Sequence, residues 1–531
     1  MKSKYLTSAF WLIVSSALVK IIGAFFKIPL TAYIGAQGRG YFATAYNLYI
    51  PVHAVVMGAL PIAVSRLISK YNALGNKEML SSIKKGGDGV FLITGAVSSV
   101  LIVLCAKPYC VFIAHSENSF YTSAVLAFSL LFSCLSGSYR GYFEGLMNMK
   151  PTAVSQTLEA VFKLVLGLLF AKYTMLRLKA QGIDNVYPQT SAAAMLGVTL
   201  GSFMSLLYLF ICYRINRDKT LPKGNAEKGR RELLKFSFPI MISCAIQSVF
   251  QFLDTASIQY SISELGETQL NKLMGIKTDD ICSYAYGVFN TALDFKNLIT
   301  GVTMALGVTA VPAICRVYEE KNYDYLNMLT NRVFKYTCVL SLYAGGFIFL
   351  CSKDILTLFY SKTASDIVNL SDKLTGYFAL SSVFYSLAST AVFVVQALGV
   401  PERSIKSYIV SGTVRIMLNI VLIKYFFLNG AVIAGALGYF VLFIMNLSVI
   451  KRASGVKADI KSVLVKPAGI AVLAVFLCNL LYSTVNYNNF FLVNLLIEFA
   501  LFSLIYYILC LITGIFKFDT YILIKKVKKM A

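Results

Sequence analysis

Long apolar runs recur along the whole of this 531-residue chain and restrict its possible folds more than any other feature. Each run is about 20 residues long, the length that an α-helix needs to cross the hydrocarbon core of a bilayer. Since 57% of the residues are hydrophobic and only 14% are charged, the composition lies outside the soluble globular range. The pattern predicts an all-α polytopic membrane protein with about 14 transmembrane helices.

The predicted spans leave only short loops between them. An even number of spans returns the chain to its starting side of the membrane. The expected spans are 8–30, 41–65, 89–106, 120–142, 153–173, 191–213, 236–260, 281–312, 332–351, 374–398, 404–427, 430–450, 463–482 and 490–515.

The net charge of +24 is divided unevenly between the two sides of these spans. About 32 of the 49 Lys and Arg residues fall on the side of the N-terminus, and about 11 fall on the other side. Because positive loops remain in the cytoplasm, both termini are expected to be cytoplasmic. The basic residues are spread over short juxtamembrane loops without a nucleic-acid-binding motif, so their expected partners are anionic membrane lipids and not nucleic acid.

Two sequence similarities recur at an offset of about 250 residues. Residues 57–66 resemble 307–316, and residues 145–163 resemble 398–415. The repetition predicts that spans 1 to 6 and spans 7 to 12 are two parallel six-helix repeats. Parallel repeats are a transporter architecture in which the substrate lies between the halves near the middle of the membrane.

The predicted organisation follows from this duplication. An N-lobe at 1–213 is joined by a basic cytoplasmic linker at 214–235 to a C-lobe at 236–450. The extra helices 13 and 14 and a basic cytoplasmic tail lie at 451–531. Extracytosolic loops at 171–190 and 261–280 are too modest for a membrane-embedded glycosyltransferase or polymerase, so an enzyme is not expected.

The eleven cysteines and two histidines do not follow the spacing of a metal site. Most of the cysteines lie inside spans, where thiols serve as small packing residues. We therefore expect neither a metal nor a cofactor.

Lys20 and Lys27 lie inside the first apolar run, which contains no carboxylate from Phe10 to Ile34. Ionisable groups at membrane depth are costly and usually face a wet cavity on a substrate or ion path. Residues seven apart differ by about 20° around a helix and by about 10 Å along it. One face of the first helix is therefore predicted to carry two cations.

Four further charged residues stand at helical spacing. Arg140 and Glu144 are four apart, as are Glu159 and Lys163, so each couple can form an intrahelical pair. These four residues are interpreted as structural pairs.

The remaining membrane charges are predominantly cationic. Lys296 and Arg415 have no partner at helical spacing and, with the two lysines of the first run, predict a cationic cavity that binds phosphate or diphosphate. His53 can add a titratable charge, with hydrogen-bonded packing as its alternative role. Asp254 and Asp294 are candidates for coupling to Na⁺ or H⁺, with charge balance for Lys296 or Arg415 as the alternative.

The N-terminal region contains the most specific motifs. The sequence LVKIIGAFFKIPL at 18–30 is followed by YIG at 33–35, YNLYIP at 46–51 and ALPIAVSR at 59–66. This block resembles the stage V sporulation protein B and lipid II flippase-like polysaccharide transporters. These belong to the multidrug, oligosaccharidyl-lipid and polysaccharide flippase superfamily, and the resemblance extends over essentially the whole chain.

The resemblance implies a two-lobe flippase of 14 helices. Its substrate would be an undecaprenyl-diphosphate-linked sugar, such as a peptidoglycan or polysaccharide precursor. The protein would move this substrate from the inner to the outer leaflet of the bacterial cytoplasmic membrane by alternating access. We expect it to be a monomer. Lys20 occupies the place of a basic residue that precedes the motif glycine, here Gly23. Lys27 and His53 fall near further basic positions of the family without matching them residue for residue.

Two other readings remain open. A cation-coupled multidrug exporter of the same superfamily would require an acidic or aromatic cavity, so the sign of the cavity charge separates it from a flippase. A non-transporting factor of envelope or spore assembly could retain a transporter fold.

Overall fold

Hydropathy accounts for an architecture that is helical throughout, with no β-strand among the residues described by the computed structural model. Those residues are 2–216, 222, 224–360, 365–482 and 491–515; the predicted basic tail at 516–531 and linker residues 217–221 and 223 lie outside them. The helices are α1 (Lys2–Ala73), α2 (Lys77–Pro108), α3 (Ser119–Gly145), α4 (Lys150–Ala180), α5 (Tyr187–Asn216), α6 (Ala226–Ser263), α7 (Glu267–Met274), α8 (Ile281–Glu319), α9 (Tyr323–Leu350), α10 (Ser352–Tyr360), α11 (Ser365–Ala397), α12 (Ser404–Phe426), α13 (Leu428–Ser454), α14 (Lys466–Tyr482) and α15 (Phe491–Ile512). Short π-helical turns lie at Tyr109–Ile113 and Lys461–Val465.

The prediction of an all-α polytopic membrane protein is confirmed. In the described part of the chain, 12 helices are long and apolar enough to cross a membrane, or 13 when a bent pair within α6 counts as one span. The two arms of this pair, Ala226–Phe238 and Ile240–Ser263, meet at 44° at a proline, which cannot donate a backbone hydrogen bond. The expected count of fourteen is reached only when the bent pair counts as one span and α1 counts as two.

Helix α1 is a double-length element. Its apolar part, Leu18–Ala73, has 56 residues, whereas one crossing needs about 20. Gly35 interrupts the helical backbone with φ 61° and ψ −173°, a conformation that favours glycine. The first arm of α1 (residues 2–34) and the second arm (residues 36–73) therefore correspond to the two predicted spans 8–30 and 41–65.

Three asparagines begin helices on the side predicted to be cytoplasmic. Asn76 accepts a hydrogen bond from the Met79 amide at 3.0 Å and caps α2. Asn225 and Asn322 cap α6 and α9 in the same way. Each cap satisfies amide donors that have no partner inside the helix, so each of these three loops ends in a defined helix start.

The helices fall into two packed units. Unit 1 comprises Met1–Thr291, Phe359–Leu370 and Gly412–Ala431, and unit 2 comprises Ala292–Leu358, Ser371–Ser411 and Val432–Ala531. Unit 1 includes α6, which the sequence assigns to the C-lobe, so packing units and predicted lobes have different boundaries. The lobe limits at 213 and 236 stay a prediction.

In unit 1 the second arm of α1 approaches the start of α8 at backbone distance. A Cβ atom on Gly40 would lie 1.9 Å from the Ser283 carbonyl oxygen, and one on Gly287 would lie 1.8 Å from the Ala36 carbonyl oxygen. Only glycine permits this approach at both positions. Inside a membrane the hydrophobic effect does not drive helices together. Small residues favour helix association there because they let the backbones pack closely.

In unit 2 the last two helices pack on α9. The Tyr506 hydroxyl donates to the Val339 carbonyl oxygen at 2.9 Å, and the Tyr343 hydroxyl lies 2.7 Å from the Ser503 hydroxyl. The two extra helices α14 and α15 are therefore an integral part of this unit's core.

Candidate functional site

The predicted site residues are divided between the two units. Unit 2 contains Asp294 and Lys296; unit 1 contains Lys20, Lys27, His53, Arg140, Glu144, Glu159, Lys163, Asp254 and Arg415.

Helix α1 is the most basic element of unit 1. It contains Lys20, Lys27, Arg39 and His53 within its apolar part, and it has no Asp or Glu over its whole length. Lys20 is exposed and Lys27 is half-buried, whereas Arg39 is only 3% exposed. Any carboxylate that balances these charges must therefore come from another helix. Sequence reasoning missed Arg39, although it lies between the glycines at 38 and 40.

His53 belongs to an aromatic stripe on the second arm of α1. Its ring stacks on Tyr49 with centroids 5.1 Å apart, and the Tyr49 ring meets Tyr46 edge-on at 6.0 Å. The Tyr49 hydroxyl lies 3.3 Å from the Ser133 hydroxyl on α3. These contacts fit the packing role that was the alternative for His53.

The intrahelical pairing predicted for Arg140 and Glu144 is wrong. Arg140 instead reaches from α3 to α4, where Nη2 lies 2.8 Å from Glu159 Oε2. The same nitrogen donates to Ser205 Oγ on α5 at 2.9 Å, and Nε donates to Ser155 Oγ at 3.1 Å. Tertiary packing thus replaces an i,i+4 contact by a bridge between three helices.

The pairing predicted for Glu159 and Lys163 is also wrong, because Glu159 is bound by Arg140. Lys163 Nζ donates to the Tyr46 hydroxyl at 2.9 Å. It also lies 5.2 Å from the Phe26 ring centroid and 5.3 Å from that of Tyr46. Lys163 therefore faces both arms of α1.

Arg415, which has no partner at helical spacing, finds a partner on another helix. Its Nη1 lies 3.0 Å from Asp254 Oδ2, with side-chain exposures of 9% and 15%. Asn419, one turn along α12, donates to Asp254 Oδ1 at 3.0 Å and to Ser257 Oγ at 3.0 Å. Charge balance, the alternative considered for Asp254, is what the geometry supports.

Lys296 lies in an aromatic cage within unit 2. Its Nζ is 5.1 Å from the Tyr385 ring centroid, 5.4 Å from that of Tyr439 and 5.7 Å from that of Phe378. The quadrupoles of these rings attract the ammonium group. Asp294 is half-buried two residues earlier on the same helix.

A buried network of neutral polar side chains escaped the sequence reasoning. Asn47 Nδ2 donates to the Tyr286 hydroxyl at 2.6 Å and to Gln259 Oε1 at 3.2 Å. The Tyr109 hydroxyl donates to the same oxygen at 2.9 Å, and Gln259 Nε2 donates to Thr44 Oγ1 at 2.7 Å. The network joins α1, α6, α8 and the first π-helical turn. Because these amide and phenol side chains come from four separate elements, no regular spacing in the sequence indicates that they meet.

Metal binding finds no support in the part of the chain that the structure describes. No group of three or more His, Cys, Asp or Glu side chains in that part is arranged to hold an ion. All eleven cysteines are free thiols.

Membrane-length helices that carry buried ion pairs define a multi-pass α-helical membrane protein. Residues 5–318 match the family model described as polysaccharide biosynthesis protein, so the chain belongs to that family. Residues 282–421 also match the MatE family model.

Two curated relatives and one solved structure extend this assignment. The chain is 25% identical to "Lipid II flippase MurJ" of Bacillus subtilis (strain 168), covering 86% of this chain and 84% of that protein. It is 22% identical to "Stage V sporulation protein B" of the same organism, covering 98% and 97%. The structure titled "Lipid II flippase MurJ, inward closed conformation" has the same fold, with a TM-score of 0.69 at 16% identity and coverage of 96% and 99%. The family resemblance predicted from the N-terminal block is confirmed.

Proposed function

We propose that this protein is a flippase that moves an undecaprenyl-diphosphate-linked sugar across the bacterial cytoplasmic membrane. The substrate would be lipid II or a related peptidoglycan or polysaccharide precursor. Membership in the polysaccharide biosynthesis family and similarity to relatives named for lipid II transfer and sporulation support this proposal. The observation that carries it is the composition of α1, which contains four basic residues between positions 18 and 53 and no carboxylate over its whole length.

A diphosphate is the anion best suited to such an element. Its oxygens accept several charge-assisted hydrogen bonds, and these are about twice as strong as neutral ones. Lys20, Lys27 and His53 on α1 would bind the head group. Lys296 stays a separate candidate within unit 2. Arg415 contributes less than the sequence suggested, because Asp254 already neutralises its charge.

The prenyl tail has a candidate site in unit 2. A groove of about 680 Å³ is lined by side chains of α8, α9 and α15, among them Leu306, Tyr336, Leu340 and Leu504. Its lining is largely apolar, and its volume lies within the range of small-molecule sites. An isoprenoid chain would replace lipid tails there.

Transport by alternating access requires no covalent step. The substrate would shift the populations of inward- and outward-facing states only by its differential affinity for them. Na⁺, H⁺ or the membrane potential would drive the return, at about 2.3 kcal/mol per charge per 100 mV. Asp254 and Asp294 are the coupling candidates, and Asp254 also binds Arg415. We infer a monomer with both termini in the cytoplasm.

Multidrug export is the second candidate function. The match of residues 282–421 to the MatE family model favours it. Such an exporter would bind lipophilic cations, which the basic α1 repels. A non-transporting factor of envelope or spore assembly would move neither diphosphate lipids nor lipophilic cations.

Reconstitution tests the proposal directly. Proteoliposomes with a fluorescent undecaprenyl-diphosphate sugar in one leaflet should show accelerated exposure of the label to a membrane-impermeant quencher. Replacing Lys20 and Lys27 by alanine should slow this step at least tenfold. Lys107→Gln, which changes an exposed lysine at the end of α2, should leave it unchanged. Failure to move any diphosphate lipid, together with uptake of a cationic dye, would favour the exporter.

A further inference from the structure

Lys163 is a membrane-embedded cation whose expected partner is bound elsewhere. It lies near the middle of α4, four residues after Glu159. Glu159 Oε2 accepts from Arg140 at 2.8 Å, and Glu159 Oε1 accepts from Ser202 at 3.0 Å. Both oxygens of the carboxylate are therefore engaged, and its charge is balanced by the guanidinium group.

The contacts of Lys163 are with neutral groups. One proton is donated to the Tyr46 hydroxyl at 2.9 Å, and the rings of Phe26 and Tyr46 lie 5.2 and 5.3 Å away. Among the residues that the structure describes, no carboxylate forms an ion pair with Lys163. An ammonium group has three donors, so Tyr46 satisfies only part of its capacity.

The position of Lys163 associates it with the basic helix. Phe26 adjoins Lys27 on the first arm of α1, and Tyr46 lies seven residues before His53 on the second arm. The side chain is half-buried, so one side of it remains open. A charged group at membrane depth that lacks a counter-ion marks a substrate or ion path.

We propose that Lys163 is a further binding residue for the head group, whose ammonium group binds a phosphate oxygen of the lipid diphosphate. This inference rests on the proposed function. The bound phosphate would replace the Tyr46 hydroxyl as the acceptor for Lys163. The Tyr46 hydroxyl, whose own proton is not used in the bond from Lys163, would donate to a second phosphate oxygen.

Binding of undecaprenyl diphosphate to the purified full-length protein in detergent tests the role of the charge. Lys163→Gln should weaken binding about tenfold, the loss expected for one charge-assisted hydrogen bond, whereas Lys163→Arg should retain most of it. The matched control is Lys172→Gln on the same helix, an exposed lysine nine residues on and therefore on the opposite face. It should bind as the wild type does. Undecaprenol, which has no phosphate, should not distinguish the three variants.

A second measurement needs no variant and so does not depend on folding of Lys163→Gln. Undecaprenyl diphosphate should protect Lys163 from acylation by an amine-reactive ester several-fold, as read by peptide mass spectrometry. Lys172 should react equally with and without the lipid, and undecaprenol should protect neither residue. Unchanged binding by Lys163→Gln, or unprotected Lys163 in a protein that binds the lipid, overturns this inference alone. Absence of any binding by the wild type overturns the proposed function as well.

Discussion

Arg415 Nη1 lies 3.0 Å from Asp254 Oδ2, and this ion pair joins α12 to α6 inside unit 1. Asn419 reinforces the contact by donating to the other carboxylate oxygen at 3.0 Å. Both charged side chains are largely withdrawn from solvent, with exposures of 9% and 15%. A buried pair contributes little net stability, but removing one partner leaves the other charge uncompensated. The pair therefore acts as a structural constraint on two helices.

Arg415→Met should destabilise the protein by about 3 kcal/mol, because it leaves the Asp254 carboxylate buried without its counter-ion. The double variant Asp254→Asn/Arg415→Met should recover much of this loss, since neither charge remains. Unfolding of the purified protein in detergent measures both effects. A double variant as unstable as the sum of the single ones would show that the two residues do not interact.

Arg140→Lys should cost about 1–3 kcal/mol although it keeps the charge. Arginine bonds Ser155 through Nε and both Glu159 and Ser205 through Nη2, and the single nitrogen of a lysine cannot occupy both positions. Unfolding in detergent again provides the measurement. Glu144→Gln is the control, because Glu144 does not bind Arg140, and it should have the smaller effect. Equal losses of stability in the two variants would indicate that Arg140 pairs with Glu144 after all.

Hydropathy predicted the helices well because membrane length and backbone satisfaction leave few alternatives. Nine of the fourteen predicted spans lie within one helix of the structure, and three more end one residue beyond their helix: 332–351, 374–398 and 404–427. The span 463–482 begins in the second π-helical turn, and the span 490–515 extends past the end of α15, with residue 490 outside the described residues. The break at Gly35 was visible only as a gap between two apolar runs. At Gly35, φ is 61°, and this residue divides one long helical element into two arms. A hydropathy profile cannot distinguish two such arms from two separate helices.

The pairing of charges was predicted poorly for a definite reason. Spacing of four residues says which side chains can meet on one helix, and not whether a neighbouring helix offers a better partner. Glu159 could reach Lys163, yet it binds Arg140 through a charge-assisted bond from another helix. Asp254 and Arg415 are 161 positions apart, a separation at which one sequence contains no signal.

Gly40→Ala should destabilise the protein by about 3 kcal/mol or more, because its methyl group would lie 1.9 Å from the Ser283 carbonyl oxygen. Helices α1 and α8 would have to separate to accept it. Gly89→Ala on α2 is the matched control, since a Cβ there meets nothing within 4 Å. Because alanine has a higher helix propensity than glycine, Gly89→Ala should leave the stability unchanged or raise it slightly. A tolerated Gly40→Ala would contradict the close approach of α1 and α8.

Asp280 lies at the start of α8, where its carboxylate joins three elements. Oδ1 accepts from the Ser283 amide at 2.9 Å, and Oδ2 accepts from the Ser116 hydroxyl at 2.6 Å. Tyr41 on α1 faces the same carboxylate, and Cys110 on the π-helical turn lies close enough to interact electrostatically. Burial raises the pKa of Asp280 above its usual value of 3.8, although these donors oppose the shift.

The raised pKa of Asp280 predicts a pH-dependent stability. The folded state holds the proton more tightly than the unfolded state, so stability is highest at low pH. It should fall as the pH rises from about 3.8 through the raised pKa of the folded state. Asp280→Asn should lack this component while keeping an acceptor for Ser116. The difference between the pH profiles of the two unfolding midpoints measures it, and parallel profiles would contradict it.

The apolar groove in unit 2 predicts a dependence on prenyl chain length. Leu504 lines this groove and is 58% exposed, so a larger side chain can occupy the space without disturbing the core. Leu504→Trp should therefore weaken binding of undecaprenyl diphosphate, because the indole takes volume that the tail would fill. Farnesyl diphosphate, whose short tail does not need the whole groove, should bind equally to both proteins. Competition between the two lipids on wild-type and variant protein measures the contrast. An equal loss for both chain lengths would assign the groove to the head group, and no loss for either would exclude it from substrate binding.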